Sequence, residues 1–366
     1  MTLHILFSPK AEGCPRLALD LIHQERLQTG QRPSVAFLTV EPDDLLSEFE
    51  ARCAGVYHLG WSRKGFIGLA WRAWTLLRRV KPDGVVVYTL GQHLSIGVAA
   101  RLQGIPVVVH VGCRPPFRNS TASKKLVFVM RIGAFFVGNH IACSDVVADD
   151  CRNYYGLRNV VAVPNGTNLS KWLGLRKRQY NEDAKLDENM PFKFAMVGSL
   201  EPSKNHEVLI RALPRILIKG GNPELHLIGE GSMRRPLEEL AKALGVHQLI
   251  VWHGTLSDVG KALALVDLFV YAAKEEEGLG IALVEALAAG LPVVASDVPA
   301  CREVLEGGRR GRLVPGDDPE AWADALLCKE PIAIPPVDAL ARYDIAATWG
   351  QYRRSLDLDA ASVKDG

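Results

Sequence analysis

Two glutamates, Glu277 and Glu285, bracket the segment Gly278-Leu279-Gly280-Ile281-Ala282-Leu283-Val284. A strand-length apolar run, residues 268–272, comes just before it. A run of strong helix formers, residues 282–289, follows and ends at Gly290 with Pro292 beyond, the punctuation of a helix C-terminus. Gly278 and Gly280 remove side chains where a loop turns into that helix, so a ligand can approach the backbone closely. The N–H groups of Gly280, Ile281 and Ala282 have no partner in a preceding turn and point beyond the helix, which makes a ready site for a diphosphate. Glu285 lies in the helix's first turns, where its carboxylate can take both hydroxyls of a ribose. Glu277 stays on the loop, on the sugar side of the phosphates. Strand, glycine loop, helix and two acids together describe a nucleotide-sugar site.

The elements that must hold this segment are legible as an alternation. Residues 3–8, 34–40, 84–89, 106–110 and 160–163 have the β-branched character of strands, with helical stretches such as 16–27, 65–79 and 94–103 between them. Residues 171–190 break the pattern with a polar, charged run that includes Arg176, Lys177, Arg178, Asn181, Glu182, Asp183 and Lys185, and they are expected to form a linker. The alternation then restarts, with strands at 192–198, 225–229, 249–253, 268–272 and 292–296 and helices at 206–218, 235–244, 259–265 and 282–289. The expected fold class is α/β, two Rossmann-like doubly wound domains with parallel sheets covered on both faces. Their extents are residues 1–170 and 191–342, followed by a helix at 343–356 and a tail at 357–366. Ligands of such sheets lie beyond the carboxyl ends of the strands, so a cleft between two domains is the expected site.

The 366 residues suffice for two domains, and 48% hydrophobic with 23% charged residues is the composition of a globular chain. The net charge of +2 is unevenly divided. Residues 1–171 hold 20 Lys and Arg against 12 Asp and Glu, leaving 23 against 29 of the 43 and 41 in the whole chain. A basic first half suits an anionic partner such as a phospholipid surface or a phosphate-bearing acceptor. Seven cysteines, an odd number with no CxxC pair, argue against a disulfide framework or a zinc site and fit a reducing cytosol. Met1 leads directly into the first strand with no signal pattern, and the apolar stretches are too short to span a membrane. The expected location is cytoplasmic, with peripheral attachment to the inner membrane face as an option.

From Lys274 through Gly290 to Leu291-Pro292-Val293-Val294-Ala295-Ser296 the chain resembles the donor-site signature of the retaining glycosyltransferases of family 4, which have the GT-B fold. The resemblance extends to Met196-Val197-Gly198-Ser199-Leu200-Glu201-Pro202-Ser203-Lys204-Asn205, to Leu227-Ile228-Gly229-Glu230-Gly231 and to Val266-Asp267-Leu268-Phe269-Val270. It is specific over about residues 140–320 and looser before that, with Val163-Pro164-Asn165-Gly166 similar to the segment ahead of the linker. The resemblance implies that Glu277 contacts the transferred sugar, Glu285 the ribose and Lys204 the diphosphate, where an ammonium would stabilise the departing nucleotide. It implies that His110, after the strand 106–109, contacts the donor sugar near the reacting centre, and that Gly13 lets the first βα loop approach the donor. Ser199 stands where the family usually has arginine, and Lys274 is the neighbouring cation that could replace it. The last helix is implied to cross back to the first domain.

The implied chemistry is transfer of a hexosyl unit with retention of anomeric configuration. The chain shows no pair of carboxylates dedicated to a glycosyl-enzyme route, so the resemblance points to front-face attack assisted by the donor's own phosphate. No metal or cofactor is expected. Asp357-Leu358-Asp359 has the look of a DxD motif but falls in the polar tail. The expected partners are a nucleotide-sugar donor and a saccharide or polyprenyl-linked saccharide acceptor, as in polysaccharide or glycolipid assembly. Basic and aromatic residues interleave at Trp61, Arg63, Lys64, Trp71, Arg72, Trp74, Arg78 and Arg79, and again at Arg114, Phe117, Lys124, Lys125 and Phe128, a pattern suited to an anionic membrane surface. Nucleic acid is not an expected partner, because no recognition motif accompanies the modest basic excess. Three other readings are compatible with two Rossmann-like domains: a sugar-nucleotide epimerase of the same fold, a non-catalytic nucleotide-sugar-binding protein, and a nicotinamide dehydrogenase. Residues 8–19 lack GxGxxG, which argues against the last.

Overall fold

The computed structural model describes residues 1–10, 13–39, 45–61, 65–115, 121–175 and 191–358. Arg63, Lys64, Phe117, Asp359 and linker residues 176–190 lie outside the described residues. The chain divides into two compact units, Met1–Asn168 with Arg342–Gly366, and Leu169–Ala341.

The first unit is built on a parallel sheet of β1 (Thr2–Leu6), β2 (Ser34–Phe37), β3 (Gly55–His58), β4 (Gly84–Val87), β5 (Val107–Val111), β6 (Asn139–Ala142) and β7 (Val160–Ala162). Their order is β3-β2-β1-β4-β5-β6-β7, so the chain reverses direction across the sheet between β1 and β4. Strand alternation divides the core in two. Val85, Val87, Val107 and Val109 face one side with Leu69, Ala73, Leu77 and Ala100 of the helices Phe66–Val80 and His93–Arg101. Val86 and Val108 face the other with Leu17, Leu21 and Ile22 of the helix Gly13–Thr29.

The C-terminal helix Ile345–Ser355 belongs to this first unit, and Ile345, Trp349 and Tyr352 are buried in the second of those cores. Its start is fastened to the segment after β7. Thr167 N–H donates to Tyr343 O (2.9 Å), Ile345 N–H to Thr167 O (3.0 Å), and Thr348 Oγ1 to Pro164 O (3.0 Å). Gly166 permits this approach, since a Cβ there would lie 2.4 Å from Thr348 Oγ1 and 2.8 Å from Ile345 Cα.

The second unit has a parallel sheet of β8 (Phe192–Val197), β9 (Pro223–Ile228), β10 (Ile250–Gly254), β11 (Leu268–Tyr271), β12 (Val293–Ser296) and β13 (Arg312–Val314), in the order β10-β9-β8-β11-β12-β13. Its reversal lies between β8 and β11, the two strands whose following loops carry Lys204 and Glu277.

The structure corrects several sequence-based expectations. β3, β6 and β13 were absent from the alternation. β3 is a half-buried edge strand, β6 opens on the polar pair Asn139-His140, and β13 is three residues long. Gly13 is not in the loop after β1 but is the first residue of the helix Gly13–Thr29, exposed and with open space where a Cβ would go. β5 continues to Val111, one residue beyond the expected end of that strand, so His110 lies inside the strand and not at its terminus. Leu358 is not in a free polar tail but packs against the first unit's core.

Candidate functional site

The second unit brings Lys204 and Glu277 together. After β8 the chain passes through Gly198-Ser199-Leu200 into a turn of 3-10 helix, Pro202–Lys204, and Asn205 adopts the left-handed conformation (φ 47°) that opens the helix His206–Ile218. Asn205 holds that bend by donating from Nδ2 to Gly316 O and Asp317 Oδ1, each at 2.9 Å. The loop is pressed against the one after β9. Gly229 (φ 141°) sits where a Cβ would be 2.0 Å from Gly198 O, and Leu200 N–H donates to Glu230 O (2.9 Å). Lys274 N–H donates to Ser203 O (2.9 Å), joining the loops that follow β8 and β11.

At this junction the Lys204 ammonium donates to Glu277 Oε2 and to Tyr271 Oη (2.9 Å), and Tyr271 donates in turn to Glu277 Oε2 (2.9 Å). Gly278 N–H completes the set on Glu277 Oε1 at 3.2 Å. The Lys204 and Glu277 side chains are 20% and 12% exposed, so the pair is largely withdrawn from water. Burial alone would neutralise both. For Glu277 it is outweighed by the Lys204 charge and the hydrogen bonds from Lys204, Tyr271 and Gly278, which hold the carboxyl below its usual range. For Lys204, burial is outweighed by Tyr271 and Glu277, which raise the ammonium. Tyr271 is raised by burial and then by the Glu277 charge, so it stays a neutral donor. Sequence reasoning missed Tyr271. Its signal was a hydroxyl at the carboxyl end of an otherwise apolar strand.

The helix Ile281–Ala288 starts beside this triad. Gly280 is its N-cap at φ 80° and has no side chain of its own to cap the opening amides. A Cβ on Gly280 would lie 2.8 Å from the Tyr271 ring, so both backbone conformation and packing require glycine there. Ile281 and Ala282 form the first turn and Glu285 follows one turn later, half-buried. Ser199 is half-buried in the β8 loop and accepts Glu201 N–H on its carbonyl (2.8 Å). Lys274 is exposed and lines a shallow pocket with Glu201, Pro202, Asn205, His206 and Met233. His206 is buried, with both ring nitrogens unpartnered among the described residues. Burial and then the nearby Lys204 charge lower its pKa to about 3.

His110 and Gly13 belong to the first unit. His110 is 1% exposed, and its Nδ1 is 2.8 Å from Tyr352 Oη. Burial lowers its pKa to about 4, so the ring is neutral near pH 7. The Tyr88 ring lies beside it, tilted by 49° with ring centroids 5.4 Å apart, and Tyr88 Oη is 3.0 Å from His4 Nδ1. Cys14, next to Gly13, borders the space around His110 Nε2: a Cβ on Gly112 would be 2.9 Å from that nitrogen and 3.1 Å from Cys14 Sγ. Among the described residues no cluster of three or more His, Cys, Asp or Glu could hold a metal ion.

Two family models divide the chain between them. One described as glycosyltransferase family 4 matches residues 28–171, and one described as glycosyl transferases group 1 matches residues 191–328. The chain belongs to the family 4, group 1 glycosyltransferases. It is 38% identical over 172 residues to a phosphatidyl-myo-inositol mannosyltransferase of Mycobacterium leprae, a match covering 44% of this chain and 45% of that one. The Mycolicibacterium smegmatis protein of the same name is 37% identical over 175 residues, 46% of this chain and 42% of its own. These matches span less than half the length of those relatives. A longer match, 25% identical over 69% of this chain and 67% of the other, is to an Escherichia coli galactosyltransferase named for UDP-Gal and a GlcNAc-diphosphoundecaprenol acceptor. Among solved structures, Anabaena HepE in complex with UDP and glucose superposes with a TM-score of 0.78 at 19% identity, over 97% of this chain and 99% of that one. WaaG, a glycosyltransferase involved in lipopolysaccharide biosynthesis, superposes at 0.67 and 17% identity, over 99% of each chain. The fold is GT-B, two Rossmann-like α/β domains.

Proposed function

We propose that this glycosyltransferase moves a hexosyl unit, with retention, from a nucleotide-diphosphate sugar to a saccharide or lipid-linked saccharide, in polysaccharide or glycolipid biosynthesis. The observation that carries the reading is the Lys204–Tyr271–Glu277 triad beside the uncapped start of Ile281–Ala288. Opening amides and a helix dipole suit a diphosphate, and Lys204 adds a full positive charge as the leaving nucleotide becomes more anionic. Glu277 is kept ionised and oriented as an acceptor for sugar hydroxyls, and Glu285 one turn along the helix takes the ribose. Gly278, Gly280, Ile281 and Ala282 supply the close backbone, with Ser199 and Gly13 as further donor contacts. His110 contributes as a neutral hydrogen-bonding group to the transferred sugar. Catalysis then rests on positioning and on stabilising the departing phosphate, with no metal required. The UDP-Gal-named relative and the UDP-bound neighbour favour a nucleotide sugar as donor, and the relatives named mannosyltransferases favour a hexosyl unit as the group transferred.

The acceptor side of the proposal is peripheral membrane binding by the first unit at a cytoplasmic surface. Phe66, Ile67 and Trp71 are exposed on the helix Phe66–Val80, whose last turn carries Arg78 and Arg79. Lys124, Lys125 and Phe128 share an exposed face of the helix Thr121–Gly133. Apolar residues beside cations are what an anionic bilayer surface attracts. Arg78 and Arg79 already stack on Trp74 and Tyr57, which leaves Lys124 and Lys125 as the more available charges. No described helix is long and apolar enough to cross a membrane.

The test is incubation of pure protein, with and without a chelator, with UDP- and GDP-linked hexoses and lipid-linked saccharides. Release of nucleoside diphosphate with an α-linked product from an α-linked donor supports the proposal. Isomerised donor without transfer would replace it with an epimerase, and binding without turnover with a sugar-nucleotide-binding protein. Sedimentation with anionic but not neutral vesicles tests the membrane surface.

A further inference from the structure

His110 and Tyr352 come from the two separate segments that make up the first unit, 242 residues apart, and both are buried. Tyr352 lies near the end of the C-terminal helix, and its hydroxyl is 2.8 Å from His110 Nδ1. Among the described residues Nδ1 is the acceptor that hydroxyl has, while His110 Nε2 is buried and has no partner. A buried phenol that accepted a proton from Nδ1–H would leave its own O–H without an acceptor. Donation from Tyr352 to Nδ1 satisfies both groups and places the imidazole proton on Nε2. The space facing Nε2 is kept clear by Gly112, because any side chain there would begin 2.9 Å from that nitrogen.

We infer that Tyr352 is a positioning residue: it fixes the tautomer and tilt of His110 so that Nε2–H is presented as a hydrogen-bond donor to an oxygen of the bound sugar. This rests on the proposed role of His110 at the donor sugar. It assigns the terminal helix a task beyond packing, since the ring that meets substrate takes its proton arrangement from that helix. Trp349 and Ile345, one and two turns earlier, anchor the helix in the same core and hold the hydroxyl at its distance. The neighbouring Tyr88 does not compete, because its hydroxyl is engaged with His4.

The test is a 15N spectrum of histidine-labelled protein at pH 7, with His110 identified by the signals lost in His110→Gln. The wild type is expected to show a protonated Nε2 and an unprotonated, hydrogen-bonded Nδ1. Tyr352→Phe keeps the ring and removes the hydroxyl. It is expected to move the Nδ1 resonance to that of a nitrogen without a hydrogen bond and to admit the Nδ1-protonated form. In the transfer assay it should lower kcat up to about tenfold, the size of one net hydrogen bond, with donor KM nearly unchanged. A wild-type ring protonated on Nδ1, an unchanged Nδ1 resonance in Tyr352→Phe, or an unchanged kcat would each overturn the inference. The wild-type spectrum alone decides the first point, so a poorly folding variant does not leave the matter open. Absence of transfer by the wild type with the expected spectrum would count against the proposed function and not against the imidazole arrangement.

Discussion

The candidate groups of the two units are both withdrawn from water, His110 more completely than Lys204 and Glu277, and they reach different charge states. In the second, Lys204 and Glu277 stay ionised because each is the other's partner and Tyr271 bridges them. In the first, among the described residues His110 is hydrogen-bonded to a neutral phenol alone, and burial keeps it uncharged. Burial penalises charge everywhere, and what decides the outcome is whether an opposite charge is built in beside it. The difference suits the proposed division of labour. A diphosphate requires a full cation, whereas a sugar hydroxyl requires a neutral donor that does not compete electrostatically with the phosphate.

The largest expected effect comes from breaking the charged site. Lys204→Met leaves the Glu277 carboxylate buried without its cation, which should cost about 3–5 kcal/mol of stability. The Lys204→Met/Glu277→Gln double variant should recover most of that in chemical denaturation while remaining without turnover. Glu277→Gln alone should lower kcat by about 100-fold or more with a smaller change in nucleotide affinity. Equal stability losses in the single and double lysine variants would show that the pair does not act as a unit.

Acid should separate the units. His4, His93, His110 and His140 in the first unit have pKa values lowered by burial to about 3 or 4, while in the second unit His206 is lowered to about 3 and His253 is lowered by burial and then by His226. The unfolded chain binds protons on these rings below pH 6.5 while the folded chain does not. Stability therefore falls as pH drops from 6.5 toward 4, by about 1.4 kcal/mol per pH unit for each ring. Hydrogen exchange at pH 5 should show the first unit opening before the second. Opening of the second first would contradict the assignment of neutral buried rings.

Smaller effects sharpen the donor side. Glu285→Ala should weaken nucleoside diphosphate binding by about 1.5–3 kcal/mol, the range for hydrogen bonds to a charged group, read by calorimetric titration. Tyr271→Phe removes one bridging hydroxyl and should cost about 1 kcal/mol of stability with the Lys204–Glu277 contact retained.

Much of this was legible in the sequence where pattern and chemistry coincide. The strand before Glu277, the two glycines and the helix after them are local features, and the structure shows each at its expected place within a residue or two. β3, β6 and β13 were not legible because short edge strands and strands opening on polar residues carry little alternation. His140 reads as polar in sequence yet is 1% exposed in β6. Tyr271 and Tyr352 were invisible for a different reason. Tyr271 among apolar neighbours reads as core and Tyr352 beside Gln351 and Arg353 as one ring of an amphipathic helix, and each hydroxyl acquires meaning only when the fold brings Lys204 or His110, distant in sequence, to its tip.

The most direct test of the two-unit account titrates a nucleoside diphosphate into wild type, Lys204→Met, Glu285→Ala and His110→Gln, and measures transfer by the same four proteins. The account expects binding to be lost or much weakened in the two second-unit variants and nearly unchanged in His110→Gln, with transfer impaired in all three. Loss of nucleotide binding in His110→Gln, or undiminished binding in both Lys204→Met and Glu285→Ala, would contradict it.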